Sequence, residues 1–331
     1  MELWSDLTIV IPVKNGEVYI GETINSVGSI PGAKVLLIDN GSSDDTISEA
    51  KKAAKKSGIE LEIALCDTPG VSSARNMGIS LTKTDLLMFI DSDDVVCGNQ
   101  IEDARSFVNQ SDVDVVYIGK NNITDIVCLN DETRKSLILN QVGIQSNSQI
   151  GNYLPSTGVC SAIYQTNFLK ENDIVFPEKV SKGEDALFNI KLITKCKTIA
   201  FIQGGFYKYR QHEDSVMHKV NYDILENHCM FMRLINQYIG HLCWDELNTL
   251  ELKCKLSDLM SAVRHNQIIS AKQLKKMLYT KEKIEWDRIN KFKTAYYIML
   301  LNPVSLIRLF YKLKNIMKKP VNGKQSQFYI I

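Results

Sequence analysis

The chain has 331 residues, of which 44% are hydrophobic and 23% charged, so a wholly disordered or collagen-like protein is excluded. Its net charge of +1 argues against a strongly basic nucleic-acid binder, but the charge is unevenly distributed. Residues 281–331 hold 11 Lys and Arg against three acids, which leaves the preceding 280 residues acidic. The eight cysteines form no CxxC pair, which favours free thiols in a reducing cytoplasm.

Short apolar segments alternate with amphipathic segments over the first 120 residues. Residues 8–13 form an apolar run rich in β-branched side chains, as is typical of a strand buried on both faces of a sheet. Similar segments lie at 35–38, 61–65, 86–90 and 113–118. Helical spacing and capping residues predict helices over 18–27, 44–57 and 72–81, and another after residue 94. Strands that alternate with helices indicate βαβ units and a mainly parallel sheet.

The pattern changes twice after residue 120. Between 120 and 220 it is looser, with strand-like pieces at 159–164 and 198–202 and one helix after Gly183. From residue 222 onward the pattern is helical, and we predict no strand there. We therefore expect an α/β fold whose mixed, mainly parallel sheet is flanked by helices, followed by a helical C-terminal extension.

Acidic side chains gather where the predicted strands end. Asp39 follows the second strand, and Asp91, Asp93 and Asp94 follow the fourth. Ligands of open α/β sheets bind beyond the carboxyl ends of the strands, and clustered carboxylates repel one another unless a cation lies between them. Oxygen ligands suit Mg²⁺ or Mn²⁺, which usually bridges to phosphate. The alternative is a solvated turn or a helix cap, where Asp is also common.

Other nucleotide and calcium motifs do not fit this sequence. An EF-hand that starts at Asp91 would need an oxygen ligand and a glycine where the chain has Val95 and Val96. A P-loop and a GxGxxG turn are absent from the sequence. The acidic cluster therefore needs a different explanation.

Six segments in order resemble motifs of glycosyltransferase family 2, a family of inverting enzymes with the GT-A fold. They are TIVIPVKN at 8–15, VLLIDNGSSDDT at 35–46, ARNMG at 74–78, FIDSDD at 89–94, GED at 183–185 and YRQHEDS at 209–215. The resemblance implies a Rossmann-like GT-A catalytic domain over 1–220 and a helical region with a basic amphipathic tail over 221–331. Within the domain, 1–95 would bind the nucleotide-sugar and 96–220 the acceptor.

The resemblance also implies which residues bind the nucleoside. Pro12 and Val13 would line the nucleoside pocket, and Asp39 would accept a hydrogen bond from the base. Arg75 would reach the base or the phosphate region. Many members of the family have a second acid where this chain has Asn40.

The resemblance identifies Asp91 and Asp93 as a DxD motif. Asp91 would contact the ribose or the sugar, and Asp93 would contact the metal, Mn²⁺ or Mg²⁺, on the diphosphate. Arg210 is a candidate for the leaving diphosphate, because a guanidinium binds phosphate oxygens bidentately. His218 is a candidate to complete the metal shell, as a histidine does in some GT-A enzymes; its alternative is an ordinary polar residue in a surface loop.

Asp185, with Glu184 beside it, would carry the catalytic step. An inverting sugar transfer needs a carboxylate that takes the proton of the acceptor hydroxyl, and charge neutralisation on the departing nucleoside diphosphate. The resemblance gives the role of general base to Asp185. The alternative is that both acids only complement the dipole at the start of a helix.

The C-terminal tail combines bulky apolar residues with Lys and Arg. On a helix from residue 303, an apolar face and separate cations predict either binding to an anionic membrane surface or packing on the body of the protein. The apolar face comprises Leu306, Leu309, Phe310 and Leu313, and the cations are Arg308, Lys312, Lys318 and Lys319. No signal-peptide pattern or run of about 18 apolar residues is present, so we expect a cytoplasmic protein, peripheral on the inner membrane face if the tail binds lipid.

Together these features predict a glycosyltransferase that moves a sugar from a nucleotide-sugar to a carbohydrate hydroxyl. The expected donor is a UDP-sugar. A polyprenyl-linked glycan acceptor and surface-polysaccharide synthesis would fit the family. One alternative is a nucleotidyltransferase, but the segment 14–16 lacks the Gly-rich, basic loop that such an enzyme needs. The other is a non-catalytic binding or scaffold protein that keeps the fold.

Overall fold

The structure of the protein is a computed structural model. It describes residues 3–278 except 99–100, 111, 120–123, 145, 147, 149, 151–152, 154–157, 212–221 and 240–245, together with 293, 296–297, 299, 303–304, 307 and 327–330.

The described residues form strands and helices in the alternating order that the sequence predicts. The strands are β1 (Leu7–Val13), β2 (Lys34–Asp39), β3 (Leu61–Leu65), β4 (Leu86–Phe89), β5 (Val95–Val96), β6 (Val115–Gly119), β7 (Asp125–Cys128), β8 (Ala162–Gln165), β9 (Thr198–Gln203), β10 (Tyr207–Gln211) and β11 (Gln327–Ile330). The helices are α1 (Ile20–Val27), α2 (Thr46–Ser57), α3 (Val71–Leu81), α4 (Arg105–Val108), α5 (Asp131–Gln141), α6 (Thr166–Glu171), α7 (Glu184–Lys195), α8 (Ile224–Ile239), α9 (Leu247–Arg264) and α10 (Ile268–Lys276).

Eight of these strands form one mixed sheet in the order β3-β2-β1-β4-β8-β6-β9-β7. The first four strands in this order are parallel, and β9 is parallel to β6. Strand β8 is antiparallel to both of its neighbours, and β7 is antiparallel to β9. Every residue of β1 is buried, as expected for a central strand covered on both faces. The predicted α/β architecture is therefore confirmed.

The parallel half of the sheet brings the predicted acidic residues to one edge. Because β1, β2 and β4 run in the same direction, the residues that follow them lie at the same end of the sheet. Val13 at the end of β1 is directly in register with Asp39 at the end of β2. The loop over residues 91–94 leaves from the end of β4 beside them.

The prediction of no strand after residue 222 is wrong. Gln327–Ile330 pairs antiparallel with β10, and β10 pairs antiparallel with β5, so that a second sheet has the order β11-β10-β5. The predicted strand over 159–164 is also shorter than expected, because residues Val159–Ser161 form a 3₁₀ turn before β8.

The described part of the tail packs on the helical region. Tyr296, Met299, Val304 and Ile307 are buried in one apolar cluster with side chains of α9 and α10. This burial favours packing on the body for these four residues. The predicted membrane face (Leu306, Leu309, Phe310 and Leu313) and its cations lie outside the described residues. Within the described part of the chain, no helix is long and apolar enough to cross a bilayer.

Candidate active site

A buried guanidinium joins two of the predicted site carboxylates. Arg75 Nη1 donates to Asp185 Oδ1 at 2.7 Å, and Arg75 Nη2 donates to Asp91 Oδ1 at 2.9 Å. The Arg75 side chain is only 5% exposed, and its guanidinium lies 5.1 Å from the centre of the Phe176 ring. The fold thus brings together residues 91 and 185, which the sequence placed in separate motifs. The predicted contacts of Arg75 with base or phosphate stay predictions.

Close packing of helix α3 on the sheet places Arg75. A side chain at Gly78 would overlap Val10 of β1, so only a glycine lets the helix approach the strand this closely. The Arg75 side chain, one turn earlier on the same helix, consequently reaches the end of the sheet where the predicted site lies. Gly78 is therefore needed for the position of the guanidinium, although it is not itself in the site.

Helix α8 fixes the start of the helix that carries Asp185. Asn227 Oδ1 accepts from the backbone N–H groups of Ser181 and Lys182 at 2.8 and 3.1 Å, and its Nδ2 donates to the Lys182 carbonyl at 3.1 Å. Gly183 follows with φ +94°, a left-handed conformation that favours glycine. The helical C-terminal region therefore takes part in positioning the predicted base.

The two acids at the start of α7 have raised pKa values. Burial raises the pKa of Glu184 to about 7, and repulsion from Asp185 adds to this. Burial also raises the pKa of Asp185, the Arg75 cation opposes that shift, and Asp91 adds to it. Burial alone would lower the pKa of Arg75, but Asp185 and Asp91 hold it well above its usual value. Arg75 therefore favours the ionised form of Asp185, which is the form a general base requires.

Asp94 has a different role from the two acids that precede it. It is fully buried, and its Oδ1 accepts from the Arg210 backbone N–H at 2.7 Å. Its Oδ2 accepts a hydrogen bond from Tyr207 Oη. Burial raises the pKa of Asp94 to about 7, with repulsion from Asp91 as the next cause. Asp94 therefore belongs to the support of the loop, rather than to a three-carboxylate cation site.

The predicted phosphate ligand Arg210 is buried against the same loop. Its Nη2 donates to Glu22 Oε2 at 2.5 Å, and its Nε donates to the Asp93 carbonyl at 2.8 Å. The guanidinium lies 4.7 Å from the centre of the Tyr19 ring. These contacts make Arg210 a support of the loop in this structure, and a contact with diphosphate stays a prediction. His218 lies outside the described residues.

A cleft of about 300 Å³ opens at the ends of β1, β2 and β3. Its lining residues are Lys14, Asp39, Asn40, Gly41, Leu65, Cys66, Asp67 and Pro69. Asp39 is 4% exposed and accepts from the Ser42 backbone N–H at 3.3 Å. Pro12 and Val13 are buried at the end of β1 beside it. This cleft is the place where the sequence predicts the nucleoside.

Asn40 holds the two walls of this cleft together. Its Nδ2 donates to the Cys66 carbonyl at 3.0 Å and to the Thr68 carbonyl at 2.7 Å, and its Oδ1 accepts from the Gly70 N–H at 2.7 Å. An acid at this position could not make the two donor contacts. The departure from the family pattern therefore has a structural reason, which the sequence did not indicate.

We predict that Asn40→Asp lowers the free energy of unfolding by about 1–3 kcal/mol, because it leaves the Cys66 and Thr68 carbonyls without their donor. Chemical denaturation checks this. Asn25→Asp is the matched control: Asn25 is exposed, and its Oδ1 only accepts from Ser57 Oγ, which a carboxylate also does. The control should change stability by less than about 0.5 kcal/mol. Equal stability of Asn40→Asp and the native chain would contradict this role.

The acidic loop, residues 91–94, fits a metal site in which the substrate supplies some of the ligands. Asp91 is 37% exposed and Asp93 is half-buried, so both carboxylates can reach a ligand at the surface. Within the described residues, no group of three or more His, Cys, Asp or Glu is placed to hold a metal ion. Mg²⁺ commonly binds through only one or two carboxylates, with substrate phosphates and waters as the other ligands. The two acids fit a cation that arrives with a diphosphate.

Comparison with known proteins identifies the family of the N-terminal part of the chain. A sequence model of the family described as "Glycosyl transferase family 2" matches residues 8–136. Residues 8–136 belong to glycosyltransferase family 2. The matched segment holds four of the six motifs, including the DxD loop, and the resemblance proposed from the sequence is confirmed.

Two of the similar curated proteins are named as poly(ribitol-phosphate) glycosyltransferases. The chain is 28% identical over 277 residues to the poly(ribitol-phosphate) beta-N-acetylglucosaminyltransferase TarS of Staphylococcus aureus, covering 76% of this chain and 47% of that protein. It is 24% identical over 291 residues to the poly(ribitol-phosphate) beta-glucosyltransferase of Bacillus spizizenii, covering 85% and 44%. The chain thus spans about half the length of these relatives.

A solved structure shares the fold over nearly the whole chain. The crystal structure of S. aureus TarS 1–349 in complex with UDP-GlcNAc matches with a TM-score of 0.62 and 19% identity, over 98% of this chain and 97% of that one. This match confirms the GT-A type of fold, including the helical C-terminal region.

Proposed function

We propose that this protein transfers a sugar, with inversion, from a UDP-sugar to a hydroxyl group of a polyol-phosphate polymer of the cell surface. The observation that carries the proposal is the Arg75 bridge, because it places the predicted base Asp185 and the first acid of the DxD motif on one guanidinium. The donor class is suggested by the UDP-GlcNAc complex of TarS, and the acceptor class by the poly(ribitol-phosphate) relatives. This acceptor differs from the carbohydrate or polyprenyl-linked glycan that the sequence predicts, because ribitol is a sugar alcohol.

The chemical step is a single displacement. The Asp185 carboxylate takes the proton of an acceptor hydroxyl as its oxygen attacks the anomeric carbon of the donor. The bond from that carbon to the diphosphate breaks on the opposite face, so the configuration is inverted. Asp185 is then protonated and the nucleoside diphosphate leaves. Glu184 adds negative charge next to Asp185 and is the second acid of the site.

The departing diphosphate carries negative charge that the site must balance. Asp93, with Asp91, would hold Mg²⁺ or Mn²⁺, which when bound neutralises charge on the diphosphate. His218 remains the candidate for a further ligand. The nucleoside would lie in the cleft beside Pro12, Val13 and Asp39. Arg75 then has a double role, because it pairs both with the predicted base Asp185 and with Asp91, which would contact the donor.

A peripheral position on the inner face of the membrane, through the basic tail, stays part of the proposal. The four buried tail residues support only the packing interpretation for their own positions. Sedimentation with anionic vesicles tests lipid binding by the rest of the tail. Replacing Lys318 and Lys319 by Glu is preferable to deletion, since deletion would also remove β11.

The proposal is tested by release of nucleoside diphosphate from a panel of UDP-, GDP- and CDP-sugars, with poly(ribitol phosphate) and Mg²⁺ or Mn²⁺. We expect release from at least one UDP-sugar that depends on the polymer and stops with EDTA. Binding of donors without any turnover would favour the scaffold alternative. Failure to bind any nucleotide-sugar would contradict the proposal.

A further inference from the structure

Each residue of the DxD loop, residues 91–94, makes a hydrogen bond with a residue outside the loop. Within the loop, the Asp94 N–H donates to the Asp91 carbonyl at 3.1 Å, which closes a tight turn. Helix α1 contributes Thr23, whose Oγ1 donates to the Ser92 carbonyl at 2.9 Å. Arg75 of helix α3 donates to the Asp91 carboxylate at 2.9 Å. Further contacts come from strand β10, which follows the loop by more than 110 residues in the sequence.

Tyr207 of β10 reaches both ends of the turn with one hydroxyl. Its Oη accepts from the Asp91 N–H at 3.3 Å and donates to the Asp94 carboxylate. The side chain is 2% exposed, so this hydroxyl is enclosed and faces the interior. Because a single oxygen is bonded to residue 91 and residue 94, it limits how far the turn can open.

The main chain of β10 reinforces this contact. Val96 of β5, two residues after the loop, pairs with Tyr207, and the Cys97 N–H donates to the Phe206 carbonyl at 2.7 Å. Further along the strand, Arg210 bonds both to the Asp94 carboxylate and to the Asp93 carbonyl. The loop is therefore joined to β10 by both main-chain and side-chain hydrogen bonds.

We propose that Tyr207 is a positioning residue that holds Asp91 and Asp93 at the separation needed to bind a divalent cation together with the diphosphate of the donor. This inference rests on the proposed function and extends it to a residue outside the family motifs on which that function was based. Tyr207 does not touch the donor in this account. Its removal should weaken binding of cation and nucleotide rather than proton transfer by Asp185.

The test compares Tyr207→Phe with Tyr117→Phe. Both substitutions remove one buried hydroxyl: that of Tyr117 donates to Asn189 Oδ1 at 3.1 Å, away from the DxD loop. Binding of Mn²⁺ in the presence of UDP is measured directly, by electron paramagnetic resonance of free Mn²⁺, so that no turnover is needed. Groups that orient metal ligands typically change metal affinity about 10–100-fold when they are removed. We therefore expect a loss of about 10-fold or more for Tyr207→Phe and little change for Tyr117→Phe.

Each outcome of this experiment decides the question. Equal Mn²⁺–UDP affinity of Tyr207→Phe and the native protein would overturn the inference and leave the proposed function standing. An equal loss in Tyr117→Phe would assign the effect to general loosening and would also overturn it. If the native protein binds no Mn²⁺–UDP, both the inference and the metal-assisted mechanism fail.

A second variant covers the case in which Tyr207→Phe does not fold. Arg210→Lys keeps the backbone N–H that donates to Asp94, but a lysine cannot reproduce both side-chain contacts, to the Asp93 carbonyl and to Glu22. We expect a several-fold loss of Mn²⁺–UDP affinity in the folded variant. Because Arg210 is also a candidate diphosphate ligand, the affinity for UDP without Mn²⁺ is measured as well, and an equal loss there would assign the effect to direct phosphate contact and contradict the positioning role. Unchanged affinity in this variant would contradict the positioning role of β10.

Discussion

Asp185→Asn should lower kcat by about 10³-fold, because general base catalysis contributes roughly 10²–10⁴-fold and an amide cannot accept the proton. The amide oxygen can still accept the hydrogen bond from Arg75, so the geometry of the site should be kept. Binding of UDP, measured by calorimetry, should therefore change little. A loss of kcat with retained binding would identify Asp185 as a group that acts in the chemical step.

The matched control is Asp173→Asn. Asp173 is another aspartate, its side chain is 84% exposed, and its carboxylate pairs with Lys191 of α7. This change should leave kcat within about twofold of the native value, since exposed ion pairs contribute little. Turnover by Asp185→Asn at a rate close to that of the native protein would contradict the assignment of the base.

Arg75→Met should shift the acidic limb of the pH–rate profile to higher pH. The Arg75 cation lowers the pKa of Asp185, so its removal raises that pKa and reduces the ionised fraction at any given pH below the plateau. At neutral pH we expect a fall in kcat/KM of about 10²-fold, since both carboxylates also lose the group that orients them. The measurement is kcat/KM across pH 5 to 9.

The same change should lower the free energy of unfolding by about 3 kcal/mol, the lower end of the range for breaking a buried ion pair, because the two carboxylates are partly solvated. Arg75→Lys keeps the positive charge but loses the bidentate geometry of the guanidinium. The acidic limb of its pH–rate profile should therefore shift less than that of Arg75→Met. An unchanged limb in Arg75→Met, with reduced stability alone, would show that the bridge is only structural.

Glu184→Gln separates the two neighbouring acids. The pKa of Glu184 is about 7, so Glu184 changes its charge in the pH range where the acidic limb of the pH–rate profile is expected. If Asp185 is the base, the acidic limb persists in this variant and moves to lower pH, because a neighbouring negative charge is removed. Disappearance of the limb would instead assign the observed titration to Glu184.

The sequence predicts those parts of the structure that depend on residues close together in the chain. The apolar run that became β1 and the acids at the ends of β2 and β4 follow from hydrophobic pattern and parallel topology. The contact of Arg75 with Asp185 joins residues 110 positions apart, and no local pattern indicates it. Likewise β11 is a four-residue strand that exists only through its pairing with β10.

Two side chains show why the positions of the motifs do not predict every contact in the site. The sequence pattern groups Asp94 with the other acids of its loop, but burial and the hydroxyl of Tyr207 make it an internal acceptor. Asn40 differs in the sequence only as a departure from the family pattern, whereas in the structure its amide joins the loops of the cleft. In both cases the decisive partner is distant in the sequence.

The most direct test of the account is the anomeric configuration of the product. The protein is incubated with UDP-GlcNAc, whose sugar is α-linked, poly(ribitol phosphate) and Mg²⁺ or Mn²⁺, and the anomeric proton of the transferred sugar is observed by NMR. Single displacement with Asp185 as base predicts a β-linked product, which Asp185→Asn should fail to form. An α-linked product would contradict the account, because retention requires a different mechanism at this site.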